Sequence, residues 1–460
     1  MQSHMDQIPW HDLPATFQDA VTVCRSMDVE YLWIDSLCIL QAFEGITTDE
    51  LKATEHDFAQ ENSIMARTYQ NSHFTISADI STHMDSGMFS QLPVDDHAIE
   101  VMADDGKPAL LYIRQEINHH RDETPDIETR GWTLQEFLLP PRVLHFREFD
   151  IEWRCKQRLT CECGSLGRGE NTSSGWHQHH YMERAAKPPP KDHEGALRWW
   201  EYVVHHYTSR QLTNPSDKLP ALSGLAQLRK RVKGGVYLAG LWKDSILHDL
   251  CWYHTFDYNV ATSGGVGRRP SYRAPSWSWA SVDTDSPCSW WWIGEIGRHP
   301  ISPQAEPKPA CTILESACEP KTSDPTGEVL SGFLDIKVAL IPVEICADPK
   351  QRVVWTVHNI GISLNLEFFK PDCKIEEDGL SLGDRVYCAP IAETVCSTRL
   401  EYGCLVLKKL STGEYWRVGF CILAKGVKFS LWRHSSESLP ILNLEDHLLP
   451  DSIKLQVRIV

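Results

Sequence analysis

The stretch YLWIDSLCILQ, from Tyr31 to Gln41, decides which fold class the first part of the chain predicts. Apolar residues fill most of it, as in a strand that is covered on both faces of a parallel sheet. Asp35, Cys38 and Gln41 interrupt or end the run. Because a buried polar group costs free energy unless a partner satisfies it, these residues mark the carboxyl end of the predicted strand as a candidate site.

Helix and strand patterns alternate around this stretch. Apolar residues recur at helical spacing on both sides of it: Phe17, Val21, Cys24 and Met27 before it, and Phe58, Met65 and Tyr69 after it. Runs of β-type residues predict strands at His73–Ala78 and Arg142–Phe146, and Trp132–Leu139 suits one or two helical turns. The alternation predicts an open, mainly parallel α/β sheet within residues 1–150.

From residue 300 onward the hydrophobic pattern changes to a period of two. Four groups of residues show it: Leu334, Ile336, Val338 and Leu340; Ile362, Leu364, Leu366 and Phe368; Trp416, Val418, Phe420 and Ile422; and Leu455, Val457 and Ile459. Thr412–Gly413 resembles the turn of a hairpin. The pattern predicts an antiparallel β sandwich or barrel with a structural or partner-binding role.

Four segments follow from these patterns. Residues 1–150 form the α/β domain, and residues 151–194 are an irregular linker rich in Cys, His and Pro. Residues 195–290 are mainly helical, with Trp199, Val203 and His206 at compatible spacing. Residues 300–460 form the β-rich domain.

Charge and cysteine content limit the partners and the compartment. The 460 residues carry 45 basic and 62 acidic side chains, a net charge of -17, which argues against nonspecific binding to nucleic acid or anionic membranes. No apolar run approaches the ~20 residues that span a bilayer. Fifteen cysteines, an odd number, favour reduced thiols. We therefore predict a cytoplasmic protein with no membrane span.

Three blocks, taken in order, resemble the fungal heterokaryon incompatibility (HET) domain: Tyr31–Gln41, Glu61–Tyr69 (ENSIMARTY) and Arg130–Glu136 (RGWTLQE). Ala274–Ser281 (APSWSWAS) is similar to sequence that commonly follows the domain. The resemblance implies a fold like that of Toll/interleukin-receptor (TIR) domains and flavodoxins. It also implies an effector of non-self recognition and programmed cell death, which works through a protein partner or self-association.

The chain departs from the family pattern at its start. The HET domain usually opens with a strand that carries Leu-Ser-Tyr-x-Trp-Gly, and nothing in residues 1–10 matches it. We expect a chain that is truncated, wrongly started or a natural variant. Loss of a central strand would weaken a site built on its neighbours.

The likeness to TIR domains, some of which cleave NAD, implies a chemical role for the site. NAD is then the substrate, a nucleotide ligand, and no further cofactor is predicted. Glu136 would stabilise the oxocarbenium-like state, with Asp35 as the second carboxylate. The ligand-binding residues are assigned as follows: Arg130 to the diphosphate, Trp132 to stacking, Gln41 to orientation with Asp35, and Gln135 beside Glu136.

Three other interpretations stay open. Asp35, Arg130 and Glu136 could form a structural ion network with Trp132 as a core anchor, because buried ion networks occur without catalysis. The chain could also be an inactive or repurposed scaffold, or a biosynthetic enzyme. Cys38, in an apolar strand beside an acid, suits packing better than nucleophilic attack.

Cysteines and histidines of the linker raise the question of a metal. Cys155, Cys161 and Cys163 are followed by His177, His179 and His180. The spacing C-x5-C-x-C differs from the knuckles of structural zinc sites, so no metal site is predicted.

Overall fold

A computed structural model describes residues 7–43, 45–89, 97–102, 106–113, 125–148, 150–164, 184–254, 267–268, 271–284, 286–290, 308–347, 355–359, 369–374, 376–396, 399–424 and 454–460. The chain forms two compact units, residues 1–188 and 189–460. The division of the sequence into four domains stays a prediction.

The first unit contains two groups of helices, each followed by a group of strands. Its helices are α1 (Ala15–Ser26), α2 (Asp35–Cys38), α3 (Thr48–Asn71), α4 (Asp126–Thr129) and α5 (Thr133–Leu138). Its strands are β1 (Thr75–Ser77), β2 (His97–Met102), β3 (Pro108–Ile113), β4 (Arg142–Phe146), β5 (Ile151–Cys155) and β6 (Leu159–Cys161). The helical and strand patterns predicted around residues 13–27, 58–69, 73–78 and 132–146 are thereby confirmed.

A capping box starts the long helix α3. Thr47 accepts a hydrogen bond at its side chain from the Glu50 amide, and the Glu50 carboxylate accepts one from the Thr47 amide at 3.0 Å. These bonds satisfy amides that the first helical turn leaves without partners. The capping box therefore fixes the residue at which α3 begins.

The sheet of the first unit is mixed rather than mainly parallel. Its strand order is β1-β4-β5-β6, and only β1 and β4 are parallel. The pairs β4–β5 and β5–β6 are antiparallel hairpins, while β2 and β3 pair with each other. The expected TIR/flavodoxin-like arrangement is not confirmed, because two of the three pairings in this sheet are antiparallel.

The core of this unit forms where α1 lies on the parallel strands. Ala20, Val23, Met88 and Phe146 are buried together. Partly buried side chains complete this layer: Leu32, Phe74, Ile76, Ala78, Ile80 and Leu144. Burial of apolar area stabilises it by roughly 25 cal/mol per Å².

The predicted buried strand at Tyr31–Leu40 is wrong. Tyr31 is 86% exposed, residues 31–34 lie outside any strand, and Asp35 begins the helical turn α2. The Ser36 amide donates to the Asp35 carboxylate at 2.7 Å, and the Cys38 amide donates to the Ile34 carbonyl at 2.8 Å. Local bonds from Asp and Ser compete with strand pairing, so the apolar composition of the run does not decide its structure.

The second unit joins helices to a large sheet. Its helices are α6 (His193–Thr208), α7 (Pro220–Lys233) and α8 (Ile246–Asp249). Its short strands are β7 (Tyr237–Leu238), β8 (Leu241–Trp242), β9 (Trp252–His254), β10 (Gly267–Arg268), β11 (Val282–Asp283), β12 (Cys288–Trp290) and β13 (Lys308–Pro309). The longer run of strands comprises β14 (Thr312–Pro320), β15 (Val329–Val338), β16 (Ile341–Ala347), β17 (Trp355–Asn359), β18 (Phe369–Pro371), β19 (Arg385–Cys396), β20 (Arg399–Lys409), β21 (Tyr415–Ala424) and β22 (Leu455–Ile459).

The sheet contains most of the strands that the two-residue period predicts. Its main path runs β14-β15-β22-β21-β20-β19-β16-β17, and β21–β22 is a parallel pair among antiparallel ones. Three of the four predicted groups lie in β15, β21 and β22, and the turn at Thr412–Gly413 joins β20 to β21. The group from Ile362 to Phe368 lies outside the described residues. A closed sandwich or barrel stays a prediction.

Tryptophans and arginines form the centre of the second unit. Trp277 and Trp279 of the APSWSWAS segment are fully buried, and the Trp277 carbonyl accepts a bond from the Trp252 indole at 2.9 Å. Arg229, in the basic run RKRVK at the end of α7, is fully buried over the Trp242 ring at 3.8 Å. Its apolar stem and planar charge suit an indole face, so the basic run does not signal exposure there.

Among the described residues, the helices are too short or too polar to cross a bilayer.

Candidate functional site

The three sequence blocks meet at Tyr69, the last residue of the second block. Its phenol donates a hydrogen bond to the Glu136 carboxylate, and it also interacts electrostatically with Asp35 and Arg130. We call these four residues the Tyr69 cluster. It brings together three of the six residues predicted for the site.

The first block is held against α3 by one side chain. The Leu40 amide donates to the Asp57 carboxylate at 2.8 Å, across a separation of 17 residues. On the other side of α2, the Trp33 ring contacts the Tyr69 ring edge-on, with centroids 5.7 Å apart. These two contacts fix the ends of the segment that carries Asp35.

The third block is fixed at both ends of α5. Thr133 donates through its hydroxyl to the carbonyls of Ile127 and Arg130, at 2.6 and 2.8 Å. At the other end, Arg154 donates to the Phe137 carbonyl at 2.7 Å, and Lys156 donates to the Leu138 carbonyl. These donors satisfy carbonyls that the last turn of a helix leaves without partners, so β5 and the residue that follows it hold the helix that carries Glu136.

Burial sets the charge state of Tyr69. Desolvation raises the pKa of its phenol well above the usual range, and the charges of Glu136 and Asp35 raise it further, whereas Arg130 acts in the opposite direction. The phenol therefore stays protonated and remains a hydrogen-bond donor. It orients the Glu136 carboxylate at ordinary pH.

Part of the cluster is open to solvent. Asp35 and Arg130 are exposed, and Tyr69 and Glu136 are half-buried. Such a surface offers two carboxylates, a guanidinium and a phenol to a ligand.

The other predicted residues have different settings. Trp132 is half-buried just before α5, and Gln135 is buried within it. Gln41 is exposed, and its side-chain amide donates a hydrogen bond to the Ile39 carbonyl at 3.0 Å. Cys38 is exposed at the end of α2, so the expectation that it packs in a buried strand is wrong.

A second group of polar side chains lies at the carboxyl edge of the parallel pair β1–β4. Arg147 bonds to Glu128 and to Glu152, each at 3.1 Å, and lies 3.5 Å from Asp79. His145 Nδ1 lies 2.9 Å from Asp79 Oδ2, the same oxygen that Arg147 approaches. We call these five residues the Arg147 network.

The carboxylates of the Arg147 network stabilise the positive charge of Arg147 inside the fold. Burial opposes the positive charge of Arg147, but the carboxylates of Asp79, Glu152 and Glu128 overcome that effect and raise the pKa of the guanidinium. Because Glu128 stands two residues before Arg130, its bond to Arg147 holds the start of the third block against the sheet. The network thus positions the site without belonging to it.

Sequence reasoning missed Tyr69 as a site residue and missed the Arg147 network. The helical spacing predicts only that Tyr69 belongs to the apolar stripe of a helix, although Tyr69 ends one of the three blocks. Asp79, His145 and Arg147 each stand at or just after the end of a short strand, the edge at which polar groups of neighbouring parallel strands meet. That position was the available signal.

Comparison with protein families finds a match in the first part of the chain. The family described as heterokaryon incompatibility protein (HET) matches residues 1–136, so the resemblance seen in the three blocks is confirmed. The matched range contains the whole Tyr69 cluster and ends at Glu136. Neither the curated proteins nor the solved structures yield a match.

Proposed function

We propose that this chain acts in heterokaryon incompatibility as an effector of non-self recognition and programmed cell death. Residues 1–136 match the HET family, and the Tyr69 cluster draws a residue from each of the three blocks that carry the family pattern. This convergence carries the proposal. Blocks that served separate core contacts would have no need to meet at one solvent-open group of charges.

Exposure supports a ligand or effector site over a purely structural network. The charges of Asp35 and Arg130 lie at the surface, where an ion pair contributes only about 0–1 kcal/mol to stability. In contrast, the Arg147 network is largely buried and suits a structural role. The proposal assigns recognition of a protein partner, or self-association, to the β-rich residues 300–460.

Inducible expression in a fungal host tests the effector role. The wild-type chain should reduce colony formation, and Glu136→Gln should restore it, because the amide keeps the shape of the side chain but removes its charge. Arg130→Gln should act in the same direction. Glu148→Gln changes an exposed carboxylate of the same unit and serves as the matched control.

Immunoblots must show equal amounts of each variant, because low abundance imitates loss of activity. Equal growth arrest by the wild-type chain, Glu136→Gln and Arg130→Gln would exclude the Tyr69 cluster as the effector site. Normal growth with abundant wild-type chain would reject the effector role and favour a scaffold.

A second candidate function is cleavage of NAD at the same cluster. The observation that favours it is the Glu136 carboxylate, oriented by Tyr69 and near a second carboxylate and a guanidinium. A carboxylate can stabilise an oxocarbenium-like state, and a guanidinium suits a diphosphate. Arg130 would hold the diphosphate, and Trp132 would stack on a ring of the ligand.

Cellular NAD separates the two candidates. If the chain consumes NAD, NAD should fall before viability does in cells that express the wild-type chain and stay constant with Glu136→Gln. Growth arrest at constant NAD would reject the enzymatic candidate and leave the effector role intact.

A further inference from the structure

The hairpin β5–β6 brings a carboxylate beside two thiols. Asp150, Cys161 and Cys163 each offer a donor atom, and these atoms all lie within 4.8 Å of one another. We call these residues the Cys161 cluster. Asp150 is 5% exposed, and both cysteines are half-buried.

Backbone bonds place the three side chains. The Asp150 carboxylate accepts bonds from the amides of Ile151 and Cys163, at 2.8 and 3.2 Å. The Gly164 amide donates to the Cys161 carbonyl at 3.1 Å, and its φ of 75° closes the turn after Cys163 in a conformation that glycine adopts without strain. The main chain therefore fixes the Asp150 carboxylate and the turn that carries both cysteines before any ligand binds.

We propose that the Cys161 cluster binds a soft divalent cation, Zn²⁺, through two thiolates and one carboxylate. Zinc takes thiolate and carboxylate ligands in tetrahedral geometry, and three protein ligands leave a fourth position for water or another donor. Binding converts two thiols to thiolates and releases two protons to solvent, while the carboxylate binds in its ionised form.

The distances suit a cation better than a disulfide. The two sulfurs lie 3.1 Å apart and are not covalently joined. Two sulfurs on one tetrahedral zinc lie about 3.8 Å apart, so the pair must separate by about 0.7 Å. A disulfide would use the sulfurs alone, whereas the Asp150 carboxylate, held toward both of them, supplies a third ligand.

This site goes beyond what residue spacing predicts. The motif C-x-C lacks the two-residue gap of common zinc knuckles, and the third ligand comes from Asp150 at the start of β5 instead of from a neighbouring cysteine. The antiparallel pairing of β5 with β6 closes the gap between them. His177, His179 and His180 lie outside the described residues.

Elemental analysis of the full chain, purified under reducing conditions, supplied with Zn²⁺ and then desalted to remove unbound metal, tests the proposal. The wild-type protein should retain about one zinc per chain. Cys161→Ser and Cys163→Ser should each abolish retention, and Asp150→Asn should weaken binding by about tenfold or more. Cys155→Ser changes a half-buried thiol outside the cluster and should retain the metal.

Alkylation of the wild-type protein gives a second test, which needs no substitution and therefore does not depend on whether a variant folds. After removal of metal by a chelator, added Zn²⁺ should slow alkylation of Cys161 and Cys163 about tenfold and leave Cys155 unaffected. Alkylation rates indifferent to Zn²⁺ would overturn the proposal. So would a zinc content that survives both serine substitutions, or a Cys161–Cys163 disulfide mapped in metal-free protein under the same reducing conditions.

Discussion

Tyr69 donates its phenolic hydrogen to the carboxylate of Glu136, and so links the last turns of α3 to α5. Two blocks of sequence that are far apart in the chain thereby share one hydrogen bond. The Trp33 ring at the edge of Tyr69 adds the first block to the same contact.

Replacing Tyr69 by Phe should weaken both folding and function. The substitution keeps the ring that contacts Trp33 but removes the donor to Glu136, at a cost of about 1–2 kcal/mol in the free energy of unfolding. Urea unfolding of Tyr69→Phe, Glu136→Gln and the double variant measures the coupling between the two side chains. Additive effects of the two substitutions would show that the bond contributes nothing.

Asp57 should be needed to hold the first block. Asp57→Ala removes the acceptor of the Leu40 amide and should lower the free energy of unfolding by about 1–2 kcal/mol. Asp57→Asn retains a carbonyl acceptor and is the matched control, with a smaller loss. Urea midpoints for the two variants decide the matter; equal values would mean that the charge, rather than the acceptor, is what counts.

Lys156 should make the stability of the first unit depend on alkaline pH. Burial, aided by Arg154, lowers the pKa of Lys156 from its ordinary 10.5 to about 8. Between these values the unfolded chain binds the proton and the folded chain does not, so rising pH stabilises the fold by up to about 1.4 kcal/mol per unit. The free energy of unfolding of wild type, relative to that of Lys156→Met, should therefore rise from pH 8 to pH 10.5. A difference that stays constant over this range would contradict the prediction.

The buried ion pairs of the second unit should tolerate substitution poorly. Arg417 is fully buried over the Trp252 ring at 3.6 Å, and it bonds to Asp372 at 3.0 Å and to the Leu250 carbonyl at 2.7 Å. Arg417→Met leaves a buried carboxylate with one fewer cation and should cost about 3–5 kcal/mol in unfolding free energy.

Arg458→Met provides the matched control for that substitution. Arg458 pairs with Asp335 in the same sheet at 2.7 Å, but its side chain is 45% exposed, so its loss should cost far less than the loss of Arg417. Chemical denaturation of the full chain compares the two. Similar losses of unfolding free energy in both variants would show that burial does not make the Arg417 ion pair more important for stability than the exposed pair of Arg458.

Regular patterns made part of this structure predictable. The period of two in residues 334–340 and 416–422 gives β15 and β21, because alternation survives wherever one face of a strand is buried. The helical spacing from Phe17 to Met27 likewise gives α1. In both cases a local pattern and the tertiary packing agree.

Other parts of the structure could not be predicted, because they depend on contacts between residues that a local sequence pattern does not show. The Tyr31 run has the composition of a buried strand, but the side-chain bond of Asp35 starts a helical turn, and Tyr31 lies in solvent. The sequence assigns Asp35, Arg130 and Glu136 to one site, but it does not indicate Tyr69, which interacts with all three from the last turns of α3. Its role follows only from where that helix ends.

The contacts of Arg154 and Lys156 with the carbonyls of Phe137 and Leu138 have a practical consequence for anyone who shortens this protein. A fragment cut at the edge of the HET match, after Glu136, would divide α5 and discard the strand that supports it. Its isolated half-helix could not nucleate on its own. A truncation meant to preserve the Tyr69 cluster should instead end at residue 188, where the first unit ends.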